Sequence, residues 1–381
     1  MKIDLSAIPL IDNHAHPFPT TRLSKGNYAQ RFNFSLNPQN EEILKSTMFF
    51  NMFVKQYSEF MGMPSDTTIE QLFDESNRLV TEDRKNYIAK LFADVKLEGL
   101  VTDMGYPVSK KLLQPNEIAE YDEDMVGYID ARLNRIEWVC EDILEDGTHS
   151  FEEFTELFMK KIEEITNRPH HVGLKSIIAY KTGLDVKVLS EEEFRKGYYL
   201  YLSDPKNREY EKVVRDYCFC KTCEFCAEKD LPMQVHTGTG DGPLNNVRYA
   251  NPMLLYEAVN AYPKTRMMLI HCGYPYAEEL GIMMNHYENV YGDVSEMLIV
   301  SGAGGATKIR DILEMAPTKK LMYGSDGGAP VEFIWYAAKM FRKYFTDVLQ
   351  SFVDEGYITY EFAMTAARDI MYENAKRFYK I

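Results

Sequence analysis

The sequence predicts an α/β fold, a (β/α)8 TIM barrel with a helical insertion after its first strand. Three observations predict it. Eight short apolar runs alternate with long amphipathic stretches, four histidines and an aspartate fall at the ends of those runs, and the chain is 381 residues long. Barrels of this kind run from about 200 to over 400 residues, so residues 1–381 read as one barrel.

The runs are short apolar segments bounded by polar text, the pattern of strands buried on both faces. In order they are Ile8–His14, Leu97–Met104, Met125–Leu133, His171–Ile178, Leu231–Thr237, Arg266–Cys272, Asn289–Ser295 and Lys319–Ser325. Between the first two lie residues 17–96, which include the aromatic-rich text MFFNMFVKQYSEFMGM. A plain βα unit needs about 30 residues, so the excess reads as a helical insertion over the strand ends, a lid or a dimer surface. Exposed Met and Phe there would favour the dimer surface. Further on, Ser150 with Glu153 and Ser190 with Glu193 are spaced as capping boxes and open two helices. A last helix is expected over about 360–379.

Bulk composition excludes several classes. A net charge of −15 argues against nucleic acid, whose phosphates need a basic patch. No stretch approaches the roughly 20 apolar residues of a membrane span. The N-terminus is charged and interrupted by proline, unlike a secretory signal. Four of the six cysteines crowd into CFCKTCEFC. In a helix their steps scatter the thiols around much of the circumference, so the run is expected to be structural and to suit a reducing cytoplasm.

The chemistry gathers at the predicted strand ends. His14 and His16 are at i and i+2, on one side of a strand. His236 closes LPMQVH, His271 closes RMMLIH, and Asp326 follows LMYGS. Their separations are about one and two βα units, which brings them to one face of a barrel, where catalytic groups of this fold collect. Lys175 sits inside the apolar run VGLKSII. A lysine facing the barrel interior is costly unless its charge is paired or lost. It is expected either N-carboxylated beside metal or ion-paired with Asp326 or a substrate carboxylate. Arg135, Tyr180, Arg248 and Asn251, just after predicted strands, are candidate substrate contacts. Gly238, Gly240 and Gly242 in TGTGDG form no phosphate fingerprint and are expected to let the loop turn tightly.

The phrases IDNHAHP, VGLKSIIAYKTGL, LPMQVHTGTGDG, ANPMLL, LIHCGYPY, NVYGDVS and LMYGSDGG resemble the amidohydrolase superfamily. Within it the chain is similar to the amidohydrolase-2 branch, in particular the domain that some proteins fuse to a glutamine-synthetase-like domain, here as a stand-alone version. The resemblance implies His14, His16 and Asp326 as ligands of a first metal, with His236 and His271 on a second and carboxylated Lys175 bridging. In mononuclear members the position of His271 orients substrate instead. The implied cofactor is Zn2+, one or two per chain, with Mn2+ or Fe2+ as alternatives. The sequence departs from the pattern at Lys181, where related sequences favour arginine, which leaves substrate identity open.

The expected function is hydrolysis of a small amide or related C–N bond by metal-activated water, with Asp326 as general base and then acid. A metal-dependent decarboxylase of a small unsaturated or aromatic acid is the alternative, and a non-catalytic binding protein a second. A small molecule is the expected partner, and the apolar insertion points to a homo-oligomer.

Overall fold

A computed structural model describes residues 1–19, 28–105, 113–242 and 246–381. Its centre is one sheet of eight parallel strands in sequential order. They are β1 (Leu10–Ala15), β2 (Leu97–Asp103), β3 (Ile129–Arg135), β4 (His171–Ser176), β5 (Met233–His236), β6 (Met267–Ile270), β7 (Val290–Asp293) and β8 (Leu321–Met322). Strand β8 is short, but the chain beyond it closes the ring on β1. Asn13 N–H donates to Tyr323 O at 2.9 Å, Asp326 N–H to His14 O at 2.8 Å and His16 N–H to Gly327 O at 2.6 Å. The architecture is a (β/α)8 barrel, as expected.

The third strand starts later than its apolar run. Met125 caps the helix Pro115–Asp124, and Gly127 turns the chain at φ 93°, a conformation that glycine adopts without penalty. The strand then extends through Asn134 to Arg135, which puts Arg135 at its C-terminal end. Both expected capping boxes are present, at Ser150 and Ser190. The final helix is interrupted by a π turn over Asp369–Glu373, and it lays Ala375, Phe378 and Tyr379 against Ile11, Val101, Met268 and Met322.

Residues of the predicted insertion form helices at Tyr28–Phe32, Glu41–Lys45, Met48–Met61 and Ile69–Asp94. Its aromatic text does not face outward. Phe49, Phe50, Phe53 and Tyr57 are buried, and Phe53 packs on Phe32, Phe73, Phe333 and Tyr336. These four rings are therefore not the exposed Met and Phe that would favour a dimer surface, although Met48 is exposed; their burial joins the insertion to its own barrel. Leu36 N–H donates to Gly242 O at 2.7 Å, and Gly242 N–H to Phe34 O at 3.0 Å, so the insertion is stitched to the loop after β5, over the strand ends.

The cysteines of CFCKTCEFC lie on the helix Arg208–Lys229, where all four are buried and free. Burial pushes the Cys220 and Cys226 thiols up to about 12. No metal-binding group among the described residues includes them.

Candidate active site

At the C-terminal ends of the strands lies a cavity of about 140 Å3, lined among others by His14, His16, Arg135, Lys175, Tyr180, His236, His271 and Asp326. Eight of the ten sequence-predicted site residues thus come together. Arg248 and Asn251 do not. Arg248 is exposed on a short 3-10 turn, and the Asn251 side chain accepts from Met253 N–H to cap the next turn. Neither lines the cavity; a loop residue's place is set by how the loop folds back, and proximity in sequence to a strand end does not fix it. Lys181 is also outside, paired with Glu141 at 2.8 Å, so its departure from arginine does not touch the cavity wall.

The imidazoles are held by groups that fix which nitrogen is bare. His14 Nδ1 lies 3.0 Å from Gln234 Oε1. Gln234 is itself oriented by donating its Nε2 to Asn13 O and Tyr379 Oη, both at 2.7 Å. The amide oxygen can only accept, so Nδ1 carries the proton and His14 Nε2 presents its lone pair. His271 Nδ1 is 2.9 Å from Ser295 Oγ, whose hydroxyl donates to Asp293 Oδ1 at 2.7 Å. That hydroxyl therefore accepts from His271, again leaving Nε2 bare. His16 Nδ1 faces Asp103 O at 3.4 Å.

His14 Nε2 and His16 Nε2 both stand 3.0 Å from Asp326 Oδ1. A lone pair facing a carboxylate at that distance repels unless a proton or a cation lies between. Burial, with Lys175 nearby, pulls His14 down to about 4, and burial pulls His236 and His271 well below the usual histidine range. Burial pushes the Asp326 carboxyl up, but any of His271, His14 and His16 that carries a second proton pulls it down, and the balance lies well below its usual range. Neutral imidazoles around an ionised carboxylate are the protonation state a divalent cation requires. His14, His271 and Asp326 offer ligand atoms within 4.8 Å of one another, and nitrogen with oxygen donors suits zinc and its neighbours. His236 adjoins this set, its ring 4.4 Å from that of His271.

Lys175 fits the same picture. Its Nζ is buried without a hydrogen-bond partner, so among the described residues neither the expected ion pair with Asp326 nor any other direct pairing is formed. Burial, partly offset by Asp103, brings it down to about 8.

Backbone strain marks the same ring. His271 (φ 71°), Glu296 (φ 52°) and Asp326 (φ 58°) occupy the left-handed region, where non-glycine residues are uncommon and held by their surroundings. Asp293 accepts from His271 N–H at 2.8 Å, which helps hold that turn. Gly238 turns as expected at φ 71°; a Cβ there would meet Gly273 C at 2.4 Å.

Sequence reasoning missed Gln234, Asp293, Ser295, Arg31, Asp241 and Glu296. Gln234 had a signal: it is two residues before His236 and so shares its face of β5. Asp293 and Ser295 end the predicted seventh strand and were equally available. Arg31 and Asp241 come from loop and insertion segments that carry no period.

A family model for amidohydrolases matches residues 11–381. The chain is 27% identical over 410 aligned positions to Protein fluG of Emericella nidulans, covering 98% of this chain and 46% of that protein. It thus spans less than half of that relative's length. Among solved structures, a Lactobacillus casei ATCC 334 protein classed as a metal-dependent hydrolase superposes with a TM-score of 0.83 at 21% identity, over 99% of this chain and 96% of that one. A uronate isomerase of Thermotoga maritima gives 0.70 at 14% identity, over 98% and 95%. At these identities the two structures speak for the fold alone. With the family model matched from the first strand to the last residue, the chain belongs to the amidohydrolase family.

Proposed function

We propose that this chain hydrolyses a small amide or related C–N bond, using a divalent metal, zinc first and manganese or iron as alternatives. The observation that carries the reading is the convergence of bare imidazole nitrogens on Asp326 beside the unpartnered amine of Lys175. His14, His16 and Asp326 would hold one ion, with His236 and His271 holding a second and Lys175, carboxylated, between them. An ion bound there supplies Lewis acidity and brings the pKa of water towards neutrality.

The remaining work falls to the chain. Asp326, kept ionised, accepts a proton from the attacking water and returns it to the leaving nitrogen, so amide plus water gives carboxylate plus ammonium. Asp241 N–H donates to Tyr180 Oη at 3.0 Å, which leaves the phenolic proton free to donate to substrate. Burial pushes Tyr180 well above the usual tyrosine range, so it keeps that proton. Arg135 uses Nε on Asp103 at 2.8 Å while its Nη1 has no partner, which suits a substrate carboxylate. Phe34, Phe333, Ile177 and Ile299 wall the cavity and limit water. The buried free cysteines fit a reducing cytoplasm.

Elemental analysis of protein purified without chelator and with bicarbonate tests the reading, followed by a panel of amides and unsaturated acids. About two ions per chain and ammonia or amine release support it. Carbon dioxide release instead would move the chain to the decarboxylase alternative. Protein that binds no zinc, manganese or iron would overturn both.

A further inference from the structure

The cavity carries more unspent polarity than a metal centre needs. Arg135 is 4% exposed with Nη1 unpartnered, and Glu296 is 4% exposed with Oε2 unpartnered. Both line the cavity. Glu296 Oε2 stands 3.8 Å from His271 Nδ1, beyond hydrogen-bond length, and that nitrogen is already bonded to Ser295. A buried acceptor or donor left without a partner is costly, more so when charged, so two in one cavity point to a ligand that satisfies them.

Their placement separates the two signs. Arg135 ends β3, and Glu296 follows β7. In a ring of eight strands in sequential order these are opposite walls. Arg31, whose guanidinium lies 4.2 Å from the Phe73 ring centre, adds a second cation to the lining. Asp241, on the loop after β5 and so between the walls of β3 and β7, adds a second acid whose charge acts on Glu296 and is acted on by Arg135. No ion pair to Asp241 is formed among the described residues. Burial, with Asp326 and Asp241 nearby, pushes Glu296 well above the usual carboxyl range, and a cation beside it would relieve that repulsion.

Building on the hydrolase reading, we propose that the substrate is a small dipolar amide, its carboxylate on Arg135 and its ammonium on Glu296 and Asp241, with the scissile bond between them at the metal centre. The cavity, roughly 140 Å3, suits a small ligand such as a two-glycine peptide.

Three probes of similar size test this on metal-loaded protein: glycylglycine with both charges, N-acetylglycine with the carboxylate only, and glycylglycinamide with the ammonium only. Calorimetric binding and kcat/KM are read separately. Glycylglycine is expected to bind at least 10-fold more tightly than either control. Glu296→Gln should weaken it by roughly 10- to 100-fold, the range for a lost hydrogen bond to a charged group, while leaving N-acetylglycine within about 2-fold. A purely structural role would weaken both ligands alike. Asp241→Asn, at the half-buried mouth, should act in the same direction and carries the test if Glu296→Gln does not fold. Equal binding of all three probes, or equal losses in the variants, overturns the dipolar reading even if all are hydrolysed. Selective binding without hydrolysis of any probe would support the dipolar site and count against the hydrolase reading.

Discussion

Replacing Lys175 by methionine should make the metal-free protein more stable while removing its activity. Lys175 is among the largest fully buried side chains, and its Nζ has no hydrogen-bond partner. Burial brings its pKa from 10.5 to about 8, net of the help from Asp103 and the opposition of Arg135. At pH 7 the folded chain therefore holds an ammonium that the unfolded chain would hold far more comfortably. A difference of about 2.5 pKa units corresponds to about 3 kcal/mol. Methionine has similar length and no charge, so chelator-treated Lys175→Met should gain stability of that order at pH 7. Between about pH 8 and 10.5 the unfolded chain keeps the lysine proton and the folded chain does not. Wild-type stability then rises with pH relative to the variant, and the gain shrinks towards zero. Urea unfolding of both proteins at pH 7, 9 and 10.5 measures it. A variant less stable at pH 7, or a gain that does not change with pH, would refute the claim that this lysine is held at a cost for function.

Two further outcomes follow from groups around and away from the site. Gln234→Leu removes the oxygen that accepts from His14 Nδ1 and the donor to Asn13 O; metal affinity in a competitive chelator titration should fall roughly 10- to 100-fold with the ligands untouched, and an unchanged affinity would show that the amide does not set the His14 tautomer. Asp216, which does not line the cavity, is pushed up to about 6 by burial, against the pull of Lys212. The folded chain keeps its proton to about pH 6 and the unfolded one only to about 4, so raising pH through that window costs stability. The limit is about 3 kcal/mol, and Asp216→Asn should flatten that part of the pH–stability curve in denaturant titrations.

The barrel was legible because its strands are buried on both faces and read as plain apolar runs, and because capping boxes such as Ser150 with Glu153 mark helix starts locally. The errors fall where local text is silent. Met125 belongs to the run MVGYID, yet Gly127 makes its neighbourhood a turn, and β8 is reduced to two residues because the following segment bonds across to β1. Phe53 and its neighbours left a lid or a dimer surface open, and Phe333 and Tyr336, far away in sequence, cover them.

By itself, the sequence determined the ring of His14, His16, Lys175, His236, His271 and Asp326, since strand period and βα spacing bring strand-end residues to one face wherever the loops go. Only the tertiary structure decided what those groups are. Gln234, Ser295 and Asp293 choose the bare nitrogens through hydrogen bonds that join different strands. Burial from every side brings Lys175 down to about 8. Arg135 and Glu296 became opposing walls when the barrel closed, a relation between β3 and β7 that no stretch of sequence contains. Periodicity is a local property, while desolvation and charge separation depend on everything packed around a group, and that is fixed only when the chain is folded.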